Sequence, residues 1–188
     1  MAEARVAWRA EQPRWDPQRL VFIDETALNT KMARMYGRSA VGLRCLGRVP
    51  HGHWQTTTFI AALRWDRIGA PFLIEGPANG EVFAAYVAQV LCPELLVGDV
   101  VILDNLCIHK TSTIAKLITA QGASVRYLPA YSPDLNPIEQ AFAKLKAHLR
   151  STAARTKEDL HTATASALRS FQPDHCAGFF RHAKYGTN

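Results

Sequence analysis

"DVVILDN" (residues 99–105) sets four apolar residues in a row and stops at Asp104. A run of that length and composition predicts a short strand buried on both faces, the kind that fills the middle of an α/β sheet. Its end delivers Asp104 to the sheet edge, where open α/β folds place their ligand sites. "RLVFID" (19–24) has the same form, with four apolar residues leading to Asp24.

The segments around these runs point to one architecture. "TTTFIAALR" (56–64) is β-branched and predicts a strand, "SAVGLRCL" (39–46) a weaker strand that pairs with it, and "PFLIEG" (71–76) a further short strand. "NGEVFAAYVAQVL" (79–91) predicts a helix capped by Asn79, with Val82, Phe83, Tyr86, Val87 and Val90 on one face. "TSTIAKLITAQG" (111–122) predicts a helix stopped by Gly122, and "SVRYLP" (124–129) a last strand ended by proline. The box "TKED" (156–159) opens a final helix carrying Leu160, Leu168 and Phe171. Early strands at hairpin-like spacing, followed by helix, strand, helix, strand and helix, predict a mixed α/β sheet. It is antiparallel at first, parallel later, and flanked by helices. Right-handed crossovers after residue 79 bring the strands ending at Asp24 and Asp104 close together. Residues 1–18, broken by Pro13 and Pro17, form a lead-in segment, and 19–188 form one domain with C-terminal helices.

A third carboxylate follows a rigid stretch. "YLPAYSPDLNPIEQ" (127–140) sets three prolines before Glu139. Asn136 suits a helix N-cap and Pro137 the first helical position, so Glu139 falls third and can close a capping box. Ile138, Phe142, Leu145 and Leu149 recur at helical spacing, which predicts a helix over 137–150. A second role is compatible with the cap: the prolines aim Glu139 at something other carboxylates also hold. Three converging carboxylates repel, and they persist where a divalent cation neutralises them. All-oxygen ligation favours magnesium or manganese over zinc. Two such ions about 3.5–4 Å apart can activate a water or 3′-hydroxyl and stabilise the leaving oxygen of a phosphodiester. Glu25 also follows the first run, but successive strand residues face opposite ways, which separates it from Asp24. A strand-end Asp is also a common turn or cap residue, so position alone leaves both roles open.

At 188 residues, 48% hydrophobic and 20% charged, the chain is the size of one globular domain. No apolar run reaches membrane-spanning length and the N-terminus has no apolar signal core, so a cytoplasmic location is expected. Cys45, Cys92, Cys107 and Cys176 lie far apart without a CxxC pair, which argues for reduced, mostly packed thiols rather than structural zinc. His51 and His53 have a metal-ligand spacing but no accompanying cysteine or carboxylate cluster, and read as loop residues. The net charge of +6 is unevenly spread. Residues 24–64 hold six Lys/Arg against two acids and 140–188 hold eight against three, whereas 65–103 hold one Arg against five acids. Two basic segments around an acidic one predict a basic face suited to a polyanion.

"FIDET", "DNLCIHK" and "LPAYSPDLNPIEQAFAKLK", in that order, resemble the DDE endonuclease domain of mariner-like bacterial insertion-sequence transposases. "YGRS" (36–39) and "VPHGHWQTTTFIAALR" (49–64) extend the likeness, as do the thirty-four residues between Asp104 and Glu139. The resemblance implies an RNase H-like fold and two divalent ions, magnesium or manganese, on Asp24, Asp104 and Glu139. It also implies cut-and-paste transposition: cleavage at transposon ends and strand transfer into TA-containing target DNA, by a homodimer. Asn105 and His109 fall in the family's "DN…HK" stretch and could contact DNA or orient an attacking water, while His109 serves equally well as a structural hydrogen-bonder. Lys110 and Lys144 are candidate phosphate contacts, and Lys146 and Arg150, seven and eleven residues after Glu139, could extend a phosphate track along its helical face.

Two departures stand beside the likeness. Cys107 and Ile108 occupy positions where the family usually carries small residues. Family members also carry helix-turn-helix modules before the first Asp, and only 23 residues precede Asp24, so the expectation is a catalytic half whose DNA-binding part is encoded separately or truncated away. Two other functions fit the same residues: an RNase H-like nuclease that only hydrolyses, and a decayed, non-catalytic DNA-binding copy.

Overall fold

The computed structural model describes residues 2–34, 36–47, 49–51, 53–106 and 111–186. Strands β1 (Leu20–Asn29), β2 (Thr56–Leu63), β3 (Ile68–Glu75), β4 (Val100–Leu103) and β5 (Ser124–Tyr127) form a five-stranded sheet in the order β3-β2-β1-β4-β5. β1–β2 and β2–β3 pair antiparallel, while β1–β4 and β4–β5 pair parallel. This is the mixed sheet the pattern predicts. One expectation fails: residues 39–46 form no strand. Val41 and Leu43 of that segment are exposed, because β1 pairs directly with β2 across the intervening stretch.

Both faces of the sheet are covered, and the central strands alternate between them. Leu20 and Phe22 of β1 and Ile102 of β4 pack on one side with helices α4 (Ile138–Thr152), α5 (Lys157–Arg169) and α6 (Pro173–His182). Val21 and Ile23 of β1 and Val101 and Leu103 of β4 pack on the other with α2 (Gly80–Tyr86) and α3 (Ser112–Ala120). Asn79 caps α2 by accepting from the Val82 N–H, and Gly122 closes the α3 turn at φ 74°. Thr156 caps α5 as its sequence predicts, accepting from the Asp159 N–H. Helix α6 is an addition to the predicted elements. So is α1 (Ala2–Glu11), which folds the lead-in segment onto the core. Trp8 is buried there and donates to the Tyr185 hydroxyl at 2.8 Å. No helix of the described residues is long and apolar enough to cross a membrane.

An ion pair is sealed into the sheet end remote from Asp24. Arg64, just after β2, donates to Asp99 Oδ2 at 2.6 Å and to the Glu94 carbonyl at 2.9 Å, with both charged side chains almost fully buried. Asp99 Oδ2 also accepts from the Leu96 N–H.

Candidate active site

Strand register and alternation bring the two aspartates together. Ile23 and Leu103 are the last paired residues of the parallel β1–β4 ladder, so Asp24 and Asp104 come next on adjacent strands. Each stands two residues beyond a side chain on the α4 face, Phe22 and Ile102, and therefore takes that face. Glu25 takes the α2–α3 side with Val21 and Ile23, as the alternation predicts. Asp24 is not a strand end in the strict sense. β4 stops beside it, while β1 runs on to Asn29 against β2. Helix α4 supplies Glu139 in its first turn.

These residues line one cavity of about 370 Å³, together with Asn105, Tyr131 and Asn136. Burial is graded across it, with Asp24 buried, Asp104 half-buried and Glu139 exposed. Both oxygens of Asp24 are engaged: Oδ1 accepts from the Glu25 N–H and Oδ2 from Asn136 Nδ2, each at 2.8 Å. Asp104 Oδ1 accepts from the Leu106 N–H at 3.0 Å.

The capping role read for Asn136 is thereby corrected. The N-cap of α4 is Pro137, which makes no side-chain cap bond, and the Asn136 amide goes to Asp24 instead. Sequence reasoning missed this link because Asn before Pro at a helix start is such a strong capping pattern. Its signal, a short amide between two prolines, fits either use. Asn136 Oδ1 is buried without a partner.

Burial pushes the Asp24 carboxyl up to about 7, and the negative charges of Glu139, Asp104 and Glu25 add to the rise against the pull of the Glu25 N–H. Lys146 lies close enough to feel Glu139 and Asp24, while burial holds its own pKa below the usual lysine range. An acid whose folded value lies above its unfolded one destabilises the fold as pH climbs from about 4 through about 7. Asp24→Asn is therefore expected to stabilise the metal-free protein by roughly 2–4 kcal/mol at pH 8, the upper figure being the full rise to about 7, and to change little at pH 4. The new amide keeps the Glu25 N–H bond and can donate to Asn136 Oδ1 once that amide flips. Thermal melts of both proteins in chelator at the two pH values check this. A lower melting temperature for the variant at pH 8 would contradict it.

The donor set suits a hard divalent cation, being all oxygen and carrying excess negative charge. Among the described residues no three His, Cys, Asp or Glu side chains form a group that could hold an ion as they stand. Like charges keep their distance, and a cation removes that repulsion.

The remaining sequence candidates separate. Asn105 lines the cavity, exposed at its mouth. Lys146 lies within electrostatic reach of Glu139, Asp24 and Arg150, and Arg150 stands in the last turn of α4. Lys144 is not brought to the cavity. Its Nζ lies 2.6 Å from His175 Nδ1, donates to the Ser170 carbonyl and sits 4.7 Å above the Phe171 ring. These contacts tie α4 to the α5–α6 connection and to α6. His109 and Lys110, with Cys107 and Ile108, lie outside the described residues. His51 and His53 are exposed in irregular chain.

Residues 19–161 match the family model "DDE superfamily endonuclease". Among curated proteins, none matches this sequence. Solved structures do. The catalytic domain of Mos1 mariner transposase is 13% identical over 97% of this chain and 86% of that one, with a TM-score of 0.72. The Mos1 transposase paired-end complex with left transposon end is 15% identical over 96% of this chain, with a TM-score of 0.74. The Mos1 mariner paired-end complex with Mn is 14% identical over 97% of this chain, with a TM-score of 0.75. The chain spans 57% and 58% of the protein chains in those two complexes. At such identities the likeness establishes the fold, which is RNase H-like.

Proposed function

Because this chain belongs to the DDE superfamily endonucleases, we propose that it is the catalytic part of a mariner-like, bacterial insertion-sequence transposase. Its reaction is metal-dependent DNA cleavage at transposon ends, followed by transfer of the freed 3′ end into TA-containing target DNA. The observation that carries this reading is the convergence of Asp24, Asp104 and Glu139 on one cavity from three separate elements. Those three carboxylates would hold two magnesium or manganese ions. When bound, the ions supply Lewis-acid stabilisation of the reacting phosphodiester and activation of the attacking oxygen. The chain's own residues do the rest. Asn136 and the Glu25 N–H orient Asp24, and the β1–β4 register sets Asp104 beside it. Lys146 and Arg150 would neutralise the DNA backbone leading into the site, Asn105 would meet it at the cavity mouth, and His109 and Lys110 are proposed as further DNA contacts from the family resemblance alone.

One of the similar solved structures is a Mos1 transposase paired-end complex with left transposon end, which supports action on DNA ends; we further propose that the chain acts as a homodimer at the bacterial nucleoid.

The deciding experiment mixes this chain with a linear duplex bearing 3′-hydroxyl ends and a supercoiled plasmid. Joined products are expected with magnesium or manganese, and none with calcium or chelator, since calcium's looser coordination positions an attacking oxygen poorly. Nicked plasmid without joining would mean a nuclease that only hydrolyses. No product in any metal would mean a non-catalytic DNA-binding copy.

A further inference from the structure

The rim of the carboxylate cavity carries an aromatic ring that neither the core nor the metal chemistry uses. Tyr131 lines the cavity yet is 88% exposed. Its backbone sits at φ 54°, a left-handed conformation that bulky side chains avoid. The loop is held in that shape from behind. Arg5 Nη1 donates to the Tyr131 carbonyl at 3.3 Å and to Ser132 Oγ at 2.8 Å, and Arg5 and Arg9 together grip Asp134 at 2.8 Å. Tyr185, anchored by Trp8, donates its hydroxyl to the Leu135 carbonyl at 2.9 Å. Helix α1 and Tyr185 thus over-determine a strained loop whose visible product is one ring turned to solvent on the cavity that Asp104 and Glu139 also line.

We propose that Tyr131 is a base-stacking residue, binding an unpaired nucleobase next to the phosphodiester at the carboxylates. The inference rests on the proposed action on DNA and deepens it. A phosphate on the cavity floor leaves its neighbouring base at the rim, where the ring stands. Stacking needs only a flat π-face, which every base presents, so the contact is tolerant of sequence and needs no tyrosine hydroxyl. Inside a duplex both faces of a base are already stacked, so the ring selects a strand that is unpaired at the reacting position.

The test uses short duplexes, one blunt and one with a 3′ overhang containing 2-aminopurine, titrated in calcium with the whole chain. Wild type and Tyr131→Phe should quench the overhang fluorescence and bind it alike. Tyr131→Asn removes the ring while Asn tolerates this φ, so the fold is kept. It should lose the quenching and weaken overhang binding by roughly 5- to 100-fold, the range one stacked base supplies, with blunt-duplex affinity within about twofold. Unchanged quenching and affinity in Tyr131→Asn would overturn the proposal. So would a shift in oligomeric state with quenching intact, which would assign the ring to a contact between copies. Neither outcome touches the cleavage assay, where the absence of product in every metal, or persistent activity in the carboxylate variants, overturns the endonuclease reading itself.

Discussion

Asp24→Asn, Asp104→Asn and Glu139→Gln are each expected to abolish magnesium-dependent DNA cleavage, by at least about a thousandfold, while the protein stays folded. The size follows from what the carboxylates would hold: divalent ions at a phosphodiester supply several kcal/mol of transition-state stabilisation, and each 1.4 kcal/mol is worth about tenfold in rate. The amides keep the volume and lose the charge, so the fold should survive. For Asp24 the metal-free fold should even gain, because its charge is buried among other acids. Glu25→Gln is the internal control. Its side chain belongs to the opposite face of β1, so cleavage should stay within about threefold of wild type. Plasmid nicking in magnesium, alongside melting curves of each variant, makes the comparison. If Glu139→Gln keeps near-normal cleavage, Glu139 serves only the start of its helix.

The second large effect concerns stability. Arg64→Met leaves Asp99 charged, almost fully buried, and without its partner at 2.6 Å. Breaking a buried pair from one side costs about 3–5 kcal/mol, a large share of the roughly 5–15 kcal/mol that a domain holds in reserve. The melting temperature should fall by about 10 °C, given about 2–4 °C per kcal/mol at this size. Replacing both partners, Arg64→Met with Asp99→Leu, removes the orphaned charge and should recover most of the loss. A double variant as unstable as the single one would mean that the hydrogen bonds to Leu96 and Glu94, rather than the ion pair, hold this end of the sheet.

The two predictions separate because the pair and the cavity lie at opposite ends of the central strands. Arg64 follows β2 and Asp99 precedes β4, whereas Asp24 and Asp104 stand where the β1–β4 ladder ends.

What could be read from the chain followed from local rules. Two apolar runs ending in Asp gave adjacent parallel strands, because a buried strand needs apolar residues on both faces and a carboxylate at its end must lie outside them. Helix α4 was legible from its buried stripe of Ile138, Phe142, Leu145 and Leu149. What could not be read depends on partners far away in sequence. Helix α1 buries only Trp8, and its reason to form lies in Tyr185 and in Asp134, well over a hundred residues on. Helix α6 is short, and its buried residues are Cys176, Ala177 and Phe180, too few to declare a period. The segment 39–46 alternates apolar and polar residues like a strand, but β2, the partner it would need, is already paired on both sides, by β1 and β3. Asn136 shows the limit most clearly: its local pattern says cap, and only the tertiary position of Asp24 assigns the amide elsewhere.

The central claim is that Asp24, Asp104 and Glu139 act as one site for divalent metal. Its most direct measurement is a manganese titration of the protein with duplex DNA at pH 8, read by the paramagnetic resonance of the free ion. The account predicts two ions bound per chain, displaced by magnesium, with binding lost or halved in each of Asp24→Asn, Asp104→Asn and Glu139→Gln and retained in Glu25→Gln. Unchanged stoichiometry and affinity in the three amide variants would contradict it.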